Sequence, residues 1–324
     1  MNQISAFVIG DLHFKTKNIE ECNLFIKKCL KKIKKYKPRF IVILGDTLHT
    51  HEVIKTVPFN LACDFIGQCA DLYPVFLLIG NHDYINNSQF CTTNHAFYAL
   101  KRWKNVYVID YPHIHQIGSE TFIFVPYVEP GRFEECLNLL YKDNKFTNML
   151  WSDATCIFAH QEFYGCTMNS ITGNKGDKWD ESYAPVISGH IHASQVLGKD
   201  VRGKIYYPGS AMQAEYSDIE VKHVWYVEFS GGLKITKIDL KLPRHFIEKR
   251  NLETIETYEF EKNTYVKIYF EDTASNINIF KSSNKFKELC DNKNIIFNFL
   301  ITNNLDIDDN EEKSNENDEN KQNE

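Results

Sequence analysis

The first part of the chain alternates short apolar runs with longer amphipathic stretches. Three apolar runs each end in a glycine that a polar residue follows; they are residues 5–10, 40–45 and 75–80, followed by Asp11, Asp46 and Asn81. Between them, residues 19–36 and 53–72 carry apolar side chains every three or four positions, which is the period of one helix face. The alternation predicts a β-α-β-α-β unit with a parallel sheet, whose strands end at one edge.

After this unit, short apolar runs become more frequent and only one helical pattern, over residues 132–141, interrupts them. The predicted strands cover residues 106–109, 121–125, 155–159, 185–188, 204–207, 224–229 and 233–240. Gly231 and Gly232 predict a hairpin turn between the last two strands. We therefore expect a second, mixed sheet packed on the first.

Three regions follow from the composition along the chain. Residues 1–242 form the predicted main domain, and Pro243 with Arg244 marks its end. The predicted strands and helix of residues 243–302 indicate a small α+β cap, with strands over 265–270 and 295–301 and a helix over 283–290. Residues 303–324 contain nine acidic residues and two lysines, and we expect a disordered acidic tail there.

The composition excludes several classes of protein. Hydrophobic residues make up 43% and charged residues 25% of the 324 positions, which is typical of soluble globular proteins. No apolar run approaches the ~20 residues of a membrane-spanning helix, and the N-terminus lacks a secretory signal pattern. The nine cysteines include no CxxC pair, which disfavours a zinc ribbon or a disulfide framework. We expect an intracellular protein, cytoplasmic or nuclear, without a membrane partner.

Potential metal ligands follow the predicted strands. Carboxylate, amide and imidazole groups are the ligands that divalent metals prefer, and two ions ~3.5–4 Å apart need a bridging carboxylate. Asp46 follows the middle strand of the first unit and is the predicted bridge. The first predicted site consists of Asp11, His13 and His192. The second consists of Asn81, His160 and His190, and Asp46 would bridge the two sites.

The order of these motifs, DxH, GD, GNHD, H and GHxH, resembles the calcineurin-like metallophosphoesterase superfamily. The resemblance covers residues 4 to about 240. It implies an α/β fold, a four-layer αββα sandwich of two mixed sheets, here followed by the small α+β C-terminal cap. It also implies a metal-dependent phosphoesterase.

Finer motifs are similar to the DNA double-strand-break repair nuclease branch, the SbcD type and the phage recombination endonuclease subunit. They are GDLHF at 10–14, GDTLH at 45–49, SGHIH at 188–192, YPGS at 207–210 and PRHF at 243–246. This resemblance implies a Mn²⁺-dependent 3′→5′ exonuclease and endonuclease that acts on DNA in repair or recombination. Iron, zinc or magnesium remain alternatives because the same ligands accept them. A coiled-coil ATPase of the SbcC type and a homodimer would follow as partners, although no amphipathic helix for docking the ATPase follows the cap.

Three further residues are predicted to be catalytic. His82 follows Asn81 directly but is not in the ligand set, so it is the candidate general acid, a role worth ~10²–10⁴-fold in rate. Asp83 is expected to orient the His82 ring. By resemblance His49 contacts the scissile phosphate; alternatively it is a loop histidine without a role. His51 is predicted to be solvated. The other histidines outside the motifs are predicted to be ordinary structural or surface residues; they are His95, His113, His115, His223 and His245.

Residues for substrate contact are less defined by the sequence. Lys15 and Lys17 lie just past His13, and residues 164–181 form a polar loop between two candidate ligands, so both are candidates for DNA contact. Lysines over residues 27–37 are equally well explained as the solvated face of a helix. Two alternatives to the nuclease remain: a phosphomonoesterase or cyclic-nucleotide phosphodiesterase, and a metal-binding scaffold without catalysis.

Overall fold

A computed structural model describes residues 4–141, 150–168, 171–199, 203–213, 215–216, 218 and 220–302 of the chain. The predicted acidic tail, residues 303–324, lies outside the described residues. The chain divides into two compact units. One contains the residues up to Phe246 together with Lys262–Tyr265, and the other contains Ile247–Glu261 and the residues from Val266 onward.

In the residues that the structure describes, the first unit alternates strands with three α-helices. In chain order its elements are β1 (Ser5–Ile9), α1 (Ile19–Tyr36), β2 (Phe40–Ile43), α2 (Thr56–Ala70), β3 (Val75–Leu78), β4 (Val106–Ile109), β5 (His113–Ile117), β6 (Glu120–Phe124), α3 (Phe133–Asn138), β7 (Cys156–His160), β8 (Thr167–Met168), β9 (Ile171–Thr172), β10 (Val186–Gly189), β11 (Gln195–Leu197), β12 (Ile205–Tyr207), β13 (His223–Glu228) and β14 (Lys234–Asp239). The remaining elements are β15 (Arg244–Arg250), α4 (Leu252–Ile255), β16 (Thr264–Asp272), α5 (Ala274–Ser282), α6 (Asn284–Cys290) and β17 (Ile295–Ile301).

The described residues of the first unit contain two six-stranded sheets and the two-stranded sheet of β8 and β9. The first has the strand order β14-β13-β1-β2-β3-β4. In it β1 to β4 run parallel, and β13 is antiparallel to both of its neighbours, β1 and β14. The second has the order β11-β12-β10-β7-β6-β5, with four parallel strands and antiparallel strands at both edges. Both sheets are therefore mixed, as the sequence predicts, and the α/β fold class is confirmed.

The apolar faces of the two sheets pack against each other. Phe40 and Phe76 from the first sheet lie in one buried cluster with Phe124 and Phe158 from the second. Helices α1 and α2 cover the outer face of the first sheet, and α3 packs on the outer face of the second. The four layers, α-β-β-α, bury both faces of each sheet, which is why the central strands are almost entirely apolar.

Helix α1 begins and ends where the sequence predicts, because its pattern is strongly amphipathic. Its buried face consists of Cys22, Phe25, Ile26, Cys29 and Ile33. Glutamates occupy the first turn and lysines the last, which favours the helix dipole at both ends. Lys37 closes the helix in the left-handed conformation at φ 50°.

The second unit is a small α/β structure with its own core. β16 and β17 run parallel, and their register extends from Val266 opposite Ile295 to Asp272 opposite Ile301. Phe270 and Phe280 stack at a centroid distance of 4.4 Å in its core. The division between the units falls after Phe246, within β15, whereas the sequence places a boundary between residues 242 and 243. None of the described helices is long and apolar enough to cross a membrane.

Candidate metal centre

The carboxyl ends of five parallel strands meet at one place in the first unit. β1, β2 and β3 of the first sheet lead into Asp11, Asp46 and Asn81. In the second sheet, β7 ends at His160, and β10 leads into His190. Loops at the carboxyl ends of neighbouring parallel strands share one edge, so residues that are distant in the sequence become neighbours. All seven predicted ligands lie at this edge.

One group of side chains surrounds the Oδ1 atom of Asp46. His160 Nε2 lies 3.4 Å from this oxygen, and it lies 3.1 Å from Asn81 Oδ1. His190 Nδ1 lies 2.9 Å from the same asparagine oxygen. Asp46, His160 and His190 each offer a ligand atom within 4.8 Å of the others. The structure therefore brings together the three residues of the predicted second site and the predicted bridging carboxylate.

A second group surrounds the other carboxylate oxygen of Asp46. His13 Nε2 lies 3.7 Å from Asp46 Oδ2 and 2.9 Å from His192 Nε2. His82 also has a ring nitrogen within 4.8 Å of ligand atoms of His13 and Asp46. The geometry alone therefore allows His82 to be a ligand as well as the predicted acid. Asp46, the predicted bridge, belongs to both groups.

Asp11, which the sequence assigns to the site of His13 and His192, instead contacts His160 and His190 of the first group. Its Oδ1 accepts a hydrogen bond from the His190 backbone at 2.9 Å and lies 3.5 Å from His160 Nδ1. Its Oδ2 is buried and has no hydrogen-bond partner among the described residues. A buried carboxylate oxygen without a partner costs free energy unless a cation or a donor satisfies it.

The backbone at the site is held in unusual conformations. His13, Asp46 and His190 have positive φ angles of 45°, 46° and 82°. Such conformations cost non-glycine residues about 1–3 kcal/mol and occur mainly at functional sites. Paired loops support this strain, because the His13 backbone N–H donates to the Asp46 carbonyl oxygen at 2.9 Å and Phe14 N–H donates to Thr47 O at 3.0 Å.

Glycine is required at position 45 for two reasons. Gly45 has a φ of +102°, and a Cβ atom there would lie 2.5 Å from His160 Nδ1. We expect Gly45→Ala to displace His160, to lower the free energy of unfolding by more than about 3 kcal/mol, and to weaken metal binding. Denaturant titration and metal analysis measure both effects.

Gly131→Ala is the matched control for this substitution. Gly131 also has a positive φ, +90°, but a Cβ atom there would meet no atom of the described part of the chain within 4 Å. Only the backbone cost of about 1–2 kcal/mol should remain, with unchanged metal content. Equal effects of the two substitutions would contradict the proposed close packing around His160.

The buried carboxylates and histidines of the site shift one another's pKa values. Burial alone would raise the pKa of Asp46, but His160 and His13 overcome it and hold the pKa well below its usual range. Burial would lower the pKa of His160, yet Asp46 and Asp11 raise it to about 9. Burial lowers the pKa of His190 to about 3 and that of His13 well below its usual value.

This set of residues fits divalent cations. Asp11 and Asp46 are 1% and 2% exposed, and such buried carboxylates require positive charge nearby. His160 donates from Nδ1 to the Leu44 carbonyl oxygen at 2.7 Å, so its Nε2 faces the site. Metal-binding histidines in proteins have this arrangement, because a hydrogen bond on one ring nitrogen orients the other. The unpartnered Asp11 Oδ2 is a further available ligand.

Asp83 does not orient His82, contrary to the sequence-based prediction. Its carboxylate accepts backbone hydrogen bonds from Thr47 at 3.3 Å, Leu48 at 3.0 Å and Gly80 at 3.1 Å. The His82 ring instead donates from Nδ1 to the His49 carbonyl oxygen at 2.9 Å. Burial and the nearby Asp46 raise the pKa of Asp83 to about 7. Asp83 therefore braces the loops that carry the ligands.

His51 is a residue of the site that the sequence does not reveal. The prediction of a solvated side chain is wrong, because its ring stacks on the His82 ring at a centroid distance of 4.7 Å and an interplanar angle of 16°. Its Nδ1 atom is buried, and no residue that the structure describes forms a hydrogen bond with it. The pattern of the exposed segment around it contains no signal for this contact.

The stacked ring should hold His82 in position. Stacking is worth about 0.5–1.5 kcal/mol, so we expect His51→Ala to lower kcat about three- to tenfold. His51→Phe keeps a ring on the face of His82 and should restore most of the activity. Steady-state kinetics of both variants check this, and equal losses in both would show that a ring nitrogen of His51 matters instead.

The remaining predicted residues lie as follows. His49 is half-buried, with its Nδ1 3.4 Å from His13 Nδ1. Burial and the charge of Lys15 lower the pKa of His49. Lys15 Nζ lies 3.4 Å from Glu215 Oε1, and Lys17 is exposed.

The histidines outside the motifs lie away from the ligands. His95 pairs with Asp110 at 3.0 Å, and His245 pairs with Glu21 at 2.8 Å. His113 and His115 are on β5, and His223 begins β13. The predicted loop over residues 164–181 contains the short antiparallel strand pair β8 and β9.

Comparisons with known proteins agree on one family. The family profile described as calcineurin-like phosphoesterase matches residues 4–194. The protein named "Putative phosphoesterase 244L" of Invertebrate iridescent virus 6 is 46% identical over 220 residues, which are 68% of this chain and 74% of that protein. "Putative phosphoesterase 078R" of Invertebrate iridescent virus 3 is 39% identical over 253 residues, 78% of this chain and 70% of that protein.

Among solved structures, a dimetal phosphatase from Danio rerio is similar at a TM-score of 0.45 and 9% identity. The similarity covers 73% of this chain and 99% of that one. At this level the likeness says nothing about substrate.

Proposed function

Since the chain belongs to the calcineurin-like phosphoesterase family, a family of metal-dependent phosphoesterases, we propose that it hydrolyses phosphodiester bonds of DNA. The proposed activity requires two divalent metal ions, with manganese preferred. It would act as a 3′→5′ exonuclease and endonuclease in repair or recombination. DNA is the substrate in this proposal, whereas a coiled-coil ATPase, a homodimer and an intracellular location stay predictions.

The placement of His49 supports the diesterase proposal most directly. The His49 ring is parallel to the His82 ring, with an interplanar angle of 5° and a centroid distance of 5.8 Å. It also lies edge-on to the candidate ligand His13 at 5.4 Å. A second imidazole beside the candidate acid can contact a phosphate oxygen. This is the role that the resemblance of the GDTLH motif to the repair nucleases implies.

The chemistry can be divided between metals and protein. When bound, two divalent ions supply Lewis-acid activation of the phosphoryl group and of the attacking water. Asp46 would hold both ions, and its Oδ1 also accepts the His82 backbone N–H at 2.8 Å, which fixes the loop of the acid. Because His82 donates from Nδ1 to the His49 carbonyl, its Nε2 is the atom that would protonate the leaving oxygen.

The charge of the chain favours a second candidate. Residues 303–324 carry a net charge of −7 and the whole chain −6, so residues 1–302 amount to about +1. A DNA-binding surface is usually strongly basic. A phosphomonoesterase or cyclic-nucleotide phosphodiesterase of the same family needs no such surface, and it is the alternative that this observation supports.

A substrate panel separates the two candidates. The purified protein is incubated with Mn²⁺ and end-labelled linear duplex DNA, bis-p-nitrophenyl phosphate, p-nitrophenyl phosphate or a cyclic nucleotide. We expect release of nucleotides from DNA and hydrolysis of the diester, and we expect both to disappear in His49→Ala. Hydrolysis of the monoester or of the cyclic nucleotide alone would contradict the nuclease and support the alternative.

His115→Ala is the control for the histidine substitution. His115 lies on β5, where its ring contacts Phe76 and Tyr107, away from the candidate ligands. It should keep wild-type activity on every substrate of the panel. A loss in this variant equal to that of His49→Ala would indicate a general defect of folding.

A further inference from the structure

Two cysteines outside the metal centre lie with their sulfur atoms in contact. Cys91 belongs to the loop that follows Asp83, and Cys136 belongs to α3, yet their Sγ atoms are 3.2 Å apart. Both are free thiols. A disulfide bond is about 2.0 Å long, so a small approach of the two sulfurs would allow bond formation.

The loop that contains Cys91 also contacts residues of the candidate metal centre. Tyr84 and His95 form a β-bridge at the base of the loop, and Ala96 N–H donates to the Asp83 carbonyl oxygen at 3.2 Å. Within the loop, Asn87 accepts a hydrogen bond from the candidate ligand Asn81 at 3.3 Å. The loop therefore connects the candidate ligands of the first sheet to the helix of the second.

Neighbouring contacts hold the two thiols in place. The Arg132 guanidinium lies 3.7 Å from the centre of the Phe90 ring, directly beside Cys91. Arg132 also forms two 2.8 Å hydrogen bonds with Glu135, directly beside Cys136. Phe90 and Cys91 pack against the apolar cluster that contains Cys136. Both segments are thus fixed by contacts that do not depend on the sulfur atoms.

We propose that Cys91 and Cys136 are a site of reversible oxidation, at which a disulfide oxidant such as glutathione disulfide forms an intramolecular disulfide. The Cys91 thiolate attacks the oxidant, one glutathione thiol leaves, and a mixed disulfide forms on Cys91. The Cys136 thiolate then attacks the Cys91 sulfur and releases the second glutathione. Two protein thiols lose two electrons and two protons, and one glutathione disulfide becomes two glutathione thiols.

The difference in exposure fits this order of attack. Cys91 is partly exposed, whereas Cys136 is fully buried. The contact with Cys91 and burial both raise the pKa of the Cys136 thiol. The more accessible Cys91 therefore meets the oxidant first. The product links two segments that are 45 positions apart, and closing a loop of this length stabilises the fold.

Peptide mapping tests the proposal directly. The full chain carrying Cys290→Ser, which removes the exposed thiol, is treated with glutathione disulfide, alkylated and digested. We expect one disulfide-linked pair of peptides containing Cys91 and Cys136, a loss of two free thiols, and a rise in Tm of roughly 5 °C or more. Treatment with dithiothreitol should reverse all three changes.

Matched serine variants identify the pair. Cys91→Ser and Cys136→Ser should each abolish the linked peptides and the rise in Tm, whereas Cys63→Ser should behave like the parent chain. The proposal is overturned if the linked peptides contain other cysteines or come from two copies of the chain. It is also overturned if only a glutathione adduct forms on Cys91, or if the folded protein keeps all its thiols.

Discussion

Replacement of Asp46 with alanine is expected to remove both metal ions and to abolish phosphoesterase turnover. Asp46 is the one residue present in both groups of candidate ligands among the described residues. Its two oxygens face different partners, Oδ2 facing His13 at 3.7 Å and Oδ1 facing His160 at 3.4 Å. Bound ions contribute several kcal/mol of transition-state stabilisation, so turnover should fall by about 10³-fold or more.

Metal analysis and kinetics on the same samples measure this effect. Asp110→Ala is a suitable control, because Asp110 is also buried but pairs with His95 at 3.0 Å and Lys101 at 2.6 Å instead of facing the ligands. The control variant should lose stability and keep both ions. If Asp46→Ala retains two ions per chain, Asp46 is not a bridge.

The second large effect is expected for His82. His82→Gln should lower kcat by about 10²–10⁴-fold while both metal ions remain bound. In the proposed mechanism this side chain supplies a proton to the leaving oxygen, and the 2.9 Å hydrogen bond to the His49 carbonyl fixes its orientation. The kcat for a substrate with a highly acidic leaving group should fall less than the kcat for DNA, because such a leaving group needs little protonation.

Metal content decides between the two roles that the geometry allows for His82. Its ring nitrogen lies within 4.8 Å of ligand atoms of His13 and Asp46. A His82→Gln variant that loses one ion would show that His82 is a ligand and not the acid. The matched control is His115→Gln, which should keep both ions and full turnover.

Much of the site could be predicted because strand ends are visible in a sequence. Asp11, Asp46 and Asn81 each follow an apolar run that ends in glycine, and parallel strands bring such positions to one edge. The bounds of α1, Ile19–Tyr36, could be predicted because its amphipathic pattern is regular from end to end. Sequence separation does not affect this kind of inference, since the sheet supplies the long-range order.

Side-chain direction could not be predicted in the same way. Asp83 follows His82 directly, yet the loop turns its carboxylate toward three backbone N–H groups. The contact of His51 with His82 depends on the path of an exposed segment whose pattern is irregular. The contact of Cys91 with Cys136 depends on how a loop of the first sheet meets α3. These features arise from loop conformation, which hydrophobic periodicity does not encode.

The two edge strands of the second sheet were missed for a different reason. β5, His113–Ile117, contains three polar residues among five, because an edge strand is only partly covered and alternates irregularly. β11, Gln195–Leu197, is also a short edge strand. Central strands such as β2 are buried on both faces, so their apolar runs are unmistakable.

Crystals grown with Mn²⁺ and measured at the manganese absorption edge test the binuclear centre most directly. The expected result is two anomalous peaks per chain, one beside Asp46 Oδ2 with His13 and one beside Asp46 Oδ1 with His160 and His190. A single peak, or peaks that Asp46 does not contact, would contradict the two-metal centre and the hydrolytic mechanism that depends on it.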